Sequence, residues 1–243
     1  MSHQKIHVHQ SLKIRAVIPR IVLLSMLLLL TSCSFLTSPA VLRPNFETRT
    51  EALRAGEYSL DPAHSFLLFK IGHLELATYV GRFNRFDASL EFDPENPTES
   101  KLDAIVYLDS LDVNDDDLES TLAGKDWLNS IEFPEARFTT TSISVLEAQA
   151  PATADEVEEQ PPLQLEITGD LEFRGITNPL VLTGRFNGGA DNLLTGKYTL
   201  GFTASGSFSR ASFGITDFAG LIGDTAELEI FAEFQRIDNQ STQ

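Results

Sequence analysis

The residues of this chain that could do chemistry are few, and most are poorly spaced for it. His64 and His73 stand nine positions apart, with Asp61 and Glu75 beside them. They lie on a strand-and-turn stretch without a clear third partner of the kind a zinc site requires, so no metal is expected. The run Asp112-Val113-Asn114-Asp115-Asp116-Asp117-Leu118-Glu119 invites a calcium loop. The EF-hand spacing fails, because the obligatory glycine position holds Asp117 and the terminal glutamate position holds Ala123. A solvated acidic loop that caps a helix accounts for the run better. There is no Gly-x-Ser-x-Gly elbow, no cysteine nucleophile and no phosphate-cradling glycine loop. No catalytic residue and no cofactor are therefore expected.

Charge and targeting narrow the classes further. The 243 residues carry 18 basic and 35 acidic side chains, a net charge of −17. Nucleic-acid affinity comes largely from neutralised phosphates, so nucleic acid is an unsuitable partner. One cysteine excludes an intrachain disulfide and any zinc site built from two or more cysteines of this chain. The N-terminus holds Lys5, Lys13, Arg15 and Arg20 and no acid, and is followed by an apolar run from Ile21 to Leu30. Such a run rises about 15 Å as a helix, roughly half the hydrocarbon thickness. It suits a secretory signal peptide rather than a spanning helix. The run ends Leu30-Thr31-Ser32-Cys33, which resembles a bacterial lipobox. That resemblance implies cleavage of residues 1–32 and lipidation of Cys33; ordinary signal cleavage leaving a free thiol is the alternative. Several acyl chains exceed what stable membrane anchoring needs. Ser34 rather than Asp after the cysteine points to the outer membrane, facing the periplasm. Without residues 1–32 the chain keeps all 35 acids but loses four basic groups, for a mature charge of −21.

The elements that must position everything else are strands. Residues 33–56 read as a lipidated end and flexible tether. From Tyr58 onward the period is two. Phe86-Asp87-Ala88-Ser89-Leu90-Glu91-Phe92 alternates apolar and polar without a break. Leu163 to Phe173, Tyr198 to Phe208 and Ala226 to Phe234 do the same. Alternation over such lengths means one dry and one wet face, the habit of antiparallel sheets. Further strands are expected at Ser65–Ile71, Leu102–Leu108, Phe138–Leu146 and Leu180–Phe186. The first of these is apolar on both faces, so its register is ambiguous. Asn178-Pro179 and Asn187-Gly188-Gly189 read as punctuation between strands. A helical insertion is expected at Asp116–Gly124, capped from Asp115 to Asp117. Residues 148–162 are acidic, proline- and alanine-rich and aperiodic, a disordered loop within one barrel. Residues 237–243 read as a tail. The fold class is all-β: about eight strands closed into an antiparallel barrel with a short helical insertion, since closure removes edges and keeps the apolar faces inside.

Several segments, in order, resemble one family. They are Tyr58-Ser-Leu-Asp61-Pro-Ala-His64-Ser65, Gly81-Arg-Phe83-Asn-Arg-Phe86, Leu128-Asn129 through Phe138, Gly169-Asp170 through Thr177, and Arg210-Ala-Ser-Phe213-Gly214-Ile215. Together they resemble the YceI-like family, also described as polyisoprenoid-binding or lipocalin-like, over residues 57–236. The resemblance implies an extended barrel whose apolar interior takes a long-chain isoprenoid, fatty acid or fatty amide. It transfers no fixed binding motif. Within it, His64 reads as a structural hydrogen bond or as a contact to a ligand headgroup at the barrel mouth.

Seventeen phenylalanines against one tryptophan and four tyrosines suit either a packed core or a greasy lumen. The resemblance favours the lumen. Phe66, Phe86, Leu90, Phe92, Ile167, Leu171, Leu182, Phe202 and Ile230 are the candidate lining residues, from their places on the apolar faces. Burying ten methylenes is worth roughly 8 kcal/mol, a micromolar affinity before ordering costs. The expected function is carriage or sequestration of such a lipid at the bacterial envelope. Two alternatives remain: an envelope stress or interaction lipoprotein with a filled barrel, and a lipid-acting enzyme using His64. Homodimerisation is left open.

Overall fold

The computed structural model describes residues 46–49, 52–146 and 163–237. The expected signal peptide, Cys33, the 148–162 loop and all but the first residue of the 237–243 tail lie outside them. Eleven strands form one antiparallel sheet: β1 (Gly56–Leu60), β2 (Phe66–His73), β3 (Ala77–Phe83), β4 (Phe86–Phe92), β5 (Lys101–Tyr107), β6 (Leu111–Asp112), β7 (Glu135–Leu146), β8 (Gln164–Phe173), β9 (Ile176–Asp191), β10 (Tyr198–Ser209) and β11 (Ile222–Arg236). The helix α1 (Asp116–Leu122) follows β6. Among the described residues no helix is long and apolar enough to cross a membrane.

Eight strands close the ring, in the order β1-β4-β5-β7-β8-β9-β10-β11, with β11 returning to β1. The long strand β11 serves two partners. Its last residues pair with β1, Leu60 opposite Phe234 and Tyr58 opposite Arg236. Its earlier stretch pairs with β2, from Phe231 opposite Phe66 to Ile222 opposite His73. Strands β1 and β2 therefore share one edge of β11, one above the other, and the corner between them lies midway along the wall. Beyond β2, the strands β3 and β6 extend the sheet.

The expected alternation shapes burial directly. In β8 the inward Leu165, Ile167, Leu171 and Phe173 are buried while Gln164, Glu166, Asp170 and Glu172 face water. Two punctuation expectations are corrected. Both Asn178-Pro179 and Asn187-Gly188-Gly189 lie inside β9, and the turn before it is Arg174-Gly175. The register of β9 on β10 jumps between Gly201 and Phe202, so that Phe186 faces Phe202 and Gly188 faces Gly201. Asn187 is thus the extra residue of a bulge, and the turn-like composition records a bulge rather than a chain reversal. Gly188 takes φ 138°, which suits glycine at this site.

The tether expected up to residue 56 ends earlier. Glu47 bridges to Gly189, Leu53 is buried, and the Arg54 guanidinium makes two 2.7 Å bonds to Asp191 while lying over the Tyr198 ring. Tyr58 donates to the Arg54 carbonyl at 2.5 Å. Burial, with Tyr198 beside it, pushes the Tyr58 hydroxyl up to about 12. Fully buried Tyr58, Phe186 and Leu200 fill this end of the barrel.

A cavity through the barrel

The inward positions do not fill the ring. A cavity of about 700 Å³ runs through it, within the range of small-molecule sites. Its wall is almost wholly hydrocarbon. Small residues stand at inward positions where packing would demand large ones: Ala88, Ala104, Gly184, Ala204, Ala226 and Ala232. Around them stand the aromatics. Phe92, Phe186, Phe202 and Phe234 contact one another with centroids 5.2–6.4 Å apart. Phe173, Phe208 and Phe213 form a second group at 5.3–6.2 Å.

Eight of the nine expected lining residues border this cavity: Phe86, Leu90, Phe92, Ile167, Leu171, Leu182, Phe202 and Ile230. Phe66 does not. It is 51% exposed on the outer face, paired with Phe231. The inward set of β2 is Leu67, Phe69 and Ile71. In a strand apolar on both sides, pairing decides the facing, and a one-residue slip inverts it.

The cavity opens at one end. Its exposed wall residues, Gly72, His73, Leu74, Thr121, Phe218 and Leu221, all belong to the end of β2 and the turn after it, to α1 and to the β10–β11 loop. A 2.7 Å bond from Leu74 N–H to the Leu221 carbonyl ties the two loops together. Leu74, Glu75 and Phe218 hold φ near +55°, an uncommon backbone for side-chain-bearing residues. Trp127, the one tryptophan, stacks on Phe218 at 6.1 Å. The helix α1 contributes Leu118 and Leu122 to the wall. Asp115 caps it by accepting from Leu118 N–H at 3.0 Å, and the acids of its first turn suit the positive end of the helix dipole.

His64 is not at the mouth. It sits outside the wall, at the corner between β1 and β2, with Nδ1 2.9 Å from Asp61 Oδ2. Asp61 also accepts from Ala63 N–H and from Gln235, while Ser65 Oγ accepts from Glu233 N–H. The group fastens the corner where β11 changes partner, which corrects the headgroup expectation. Asp61, His64 and Glu233 place potential ligand atoms within 4.8 Å of one another, but the Asp61 carboxylate is already engaged by three donors. Burial works against the Asp61 charge, yet the bonds from His64, Ala63 and Gln235 outweigh it and hold the carboxyl below its ordinary value. The same bond holds the His64 ring above its own.

Sequence reasoning missed three contributors: the small inward residues, the leucines of α1 and the Trp127–Phe218 rim. Only the first left a signal, as alanines and a glycine on the apolar side of alternating strands. One polar wall residue is also notable. Arg210 is 3% exposed, and its three nitrogens donate to the carbonyls of Gly223, Ile215 and Ile222 at 2.9–3.2 Å.

Known proteins share this build. The family model of the YceI-like domain matches residues 58–234. A protein YceI from Salmonella newport is 33% identical over 181 residues, covering 74% of this chain and 86% of that protein. The same holds for protein YceI from Salmonella arizonae. Among solved structures, Burkholderia cenocepacia BcnA superposes with a TM-score of 0.57 at 20% identity, over 72% of this chain and 98% of that one. A polyisoprenoid binding domain from Saccharophagus degradans gives a TM-score of 0.51 at 13% identity, over 76% of this chain and all (100%) of the other. With its barrel closure and matched residues, the chain belongs to the YceI-like family.

Proposed function

We propose that this protein binds one long-chain apolar lipid, a polyisoprenoid, fatty acid or fatty amide, inside the barrel and carries or sequesters it at the bacterial envelope. The observation that supports this is the open hydrocarbon-walled cavity. Left empty, this space denies the side chains around it the packing contacts a filled core would give them. Water is a poor filler, since a buried water needs two to four polar partners, which this wall barely offers. A hydrocarbon chain fills the space and needs no such partners. The solved neighbour named as a polyisoprenoid binding domain has the same fold. The chemistry is binding rather than turnover: it needs burial of apolar surface and no reacting side chain. In this proposal Cys33 carries the acyl anchor that keeps a strongly acidic protein on the outer membrane, and Cys33→Ala releases it from the membrane fraction.

Native mass spectrometry of the freshly purified full chain tests the binding itself. A co-purified lipid is the expected result. Protein that carries none, and takes up neither palmitate, hexadecanol nor a long polyprenol when these are added, would sink the proposal. Ala204→Trp places a bulky ring in the lumen and is expected to reduce uptake at least ten-fold while the barrel stays folded by circular dichroism.

A further inference from the structure

The charge pattern of the cavity opposes that of the whole protein. The chain has 35 acidic residues, yet no Asp or Glu borders the cavity among the described residues. Arg210 is the only wall residue there with a permanent charge; His73 stands at the exposed rim. Arg210 lies at the end of β10, under the mouth, with its guanidinium 5.8 Å from the centre of the Trp127 ring. Its three bonds go to neutral carbonyls, Ile215 in the β10–β11 loop and Ile222 and Gly223 at the start of β11, and no carboxylate forms an ion pair with it among the described residues. Asp224, near enough to feel its charge, is exposed and accepts instead from Ala211 N–H and Ser209.

A buried charge without a counter-ion is costly and uncommon. A guanidinium has five N–H donors, and three carbonyl bonds leave two of them over. Here a cation with no carboxylate bonded to it among the described residues borders a hydrocarbon tunnel close to its opening. A chain lying in the tunnel with its polar end toward the mouth would bring that end to Arg210. An anionic end supplies the missing counter-charge in a low-dielectric place, where ionic hydrogen bonds are strong. A neutral alcohol or amide supplies only a dipole.

We propose that Arg210 is a headgroup-binding residue that gives the barrel a preference for lipids ending in a carboxylate or phosphate. This rests on the carrier function proposed above and adds its ligand class. Arg210 also holds the β10–β11 loop, so the test separates charge recognition from loop support.

The full chain, stripped of bound lipid, is titrated at neutral pH with palmitate, hexadecanol and palmitamide, three ligands of equal chain length. Trp127 fluorescence reports binding, because the one tryptophan stacks at the mouth beside Arg210. Wild-type protein is expected to bind palmitate at least ten-fold tighter than hexadecanol or palmitamide. Arg210→Gln is expected to bring the three affinities within two-fold of each other, and Arg210→Lys to keep most of the preference. Equal affinities in the wild type overturn the proposal without any variant, so a misfolded Arg210→Gln does not rescue it. Preference that survives in folded Arg210→Gln overturns it too. Inorganic phosphate alone is expected to leave Trp127 fluorescence unchanged at millimolar levels. An Arg210-dependent response to phosphate alone would make this a free-anion site and overturn the lipid assignment. Failure of all three lipids to bind strikes the carrier function, whereas uniform binding of all three strikes only the role of Arg210.

Discussion

The corner at His64 shows how a residue that invites catalytic or metal readings can be structural, and it makes a signed prediction. Asp61 holds the His64 ring above its ordinary 6.5. A raised basic group adds stability below 6.5 and loses it as pH rises through the folded value. Asp61 is held below its ordinary 3.8, so its contribution is present above that value and is lost as pH falls through the lower folded one. The corner is therefore tightest between about pH 4 and about pH 6.5. The melting-temperature advantage of wild type over His64→Ala should shrink as pH rises above about 6.5 into the alkaline range. An advantage constant across that range would argue against the ion pair. Gly169 gives a second prediction at this scale. A Cβ there would lie 2.5 Å from the Thr139 carbonyl and press into the Phe138 ring. Gly169→Ala should cost about 1–3 kcal/mol in denaturant unfolding, the usual range for overpacking. At this scale the lining residues were largely legible, because alternation assigns facing. Phe66 was not, since a strand apolar on both sides has no facing until β11 pairs with it.

At the scale of elements, α1 joins cap, dipole and cavity. Its seven residues are too few to be stable alone, so the Asp115 cap and the packing of Leu118 and Leu122 must hold it. Asp115→Ala should cost about 1 kcal/mol, measured by chemical denaturation, with a modest loss of lipid affinity because the helix forms part of the mouth. A loss well under about 0.5 kcal/mol would mean the cap contributes little. The acids before and within this helix were legible as cap and first turn, and the structure ends the helix at Leu122, two residues short of the expected Gly124. The strand β3 was not legible. Ala77-Thr78-Tyr79-Val80-Gly81-Arg82-Phe83 alternates weakly, and Gly81 is there because Phe69 and Val113 occupy the space a side chain would need. The docking of residues 46–49 and 52–55 was equally hidden, because one buried leucine and one arginine–aspartate pair leave no periodic trace.

For the whole molecule, ligand and stability are linked. A lipid that binds only the folded barrel adds about 2.7 kcal/mol at a hundred times its dissociation constant. For a domain of this size, each kcal/mol moves the melting temperature by about 2–4 °C. Saturation with a tight-binding lipid should therefore raise it by about 5–10 °C in calorimetry. A melting temperature indifferent to lipid would mean that the cavity is not the binding place. The protein's acidic charge makes no direct contact with such a ligand, since no Asp or Glu borders the cavity among the described residues.

From the amino-acid order alone came the sheet, its antiparallel habit, and the inward or outward facing of most side chains, because a period of two is a local property that backbone geometry imposes on each strand. Whether those inward side chains meet at the centre is not local. It depends on how many strands close the ring, how their registers stagger, and whether small residues from distant strands fall at the same height. Ala88, Ala104, Ala204 and Ala232 lie far apart along the chain, and only closure brings them around one axis to leave a hollow. Tertiary structure likewise turned Arg210 from one basic residue among 18 into the one permanent charge of a hydrocarbon wall among the described residues, since which side chains border a cavity is a fact of three dimensions.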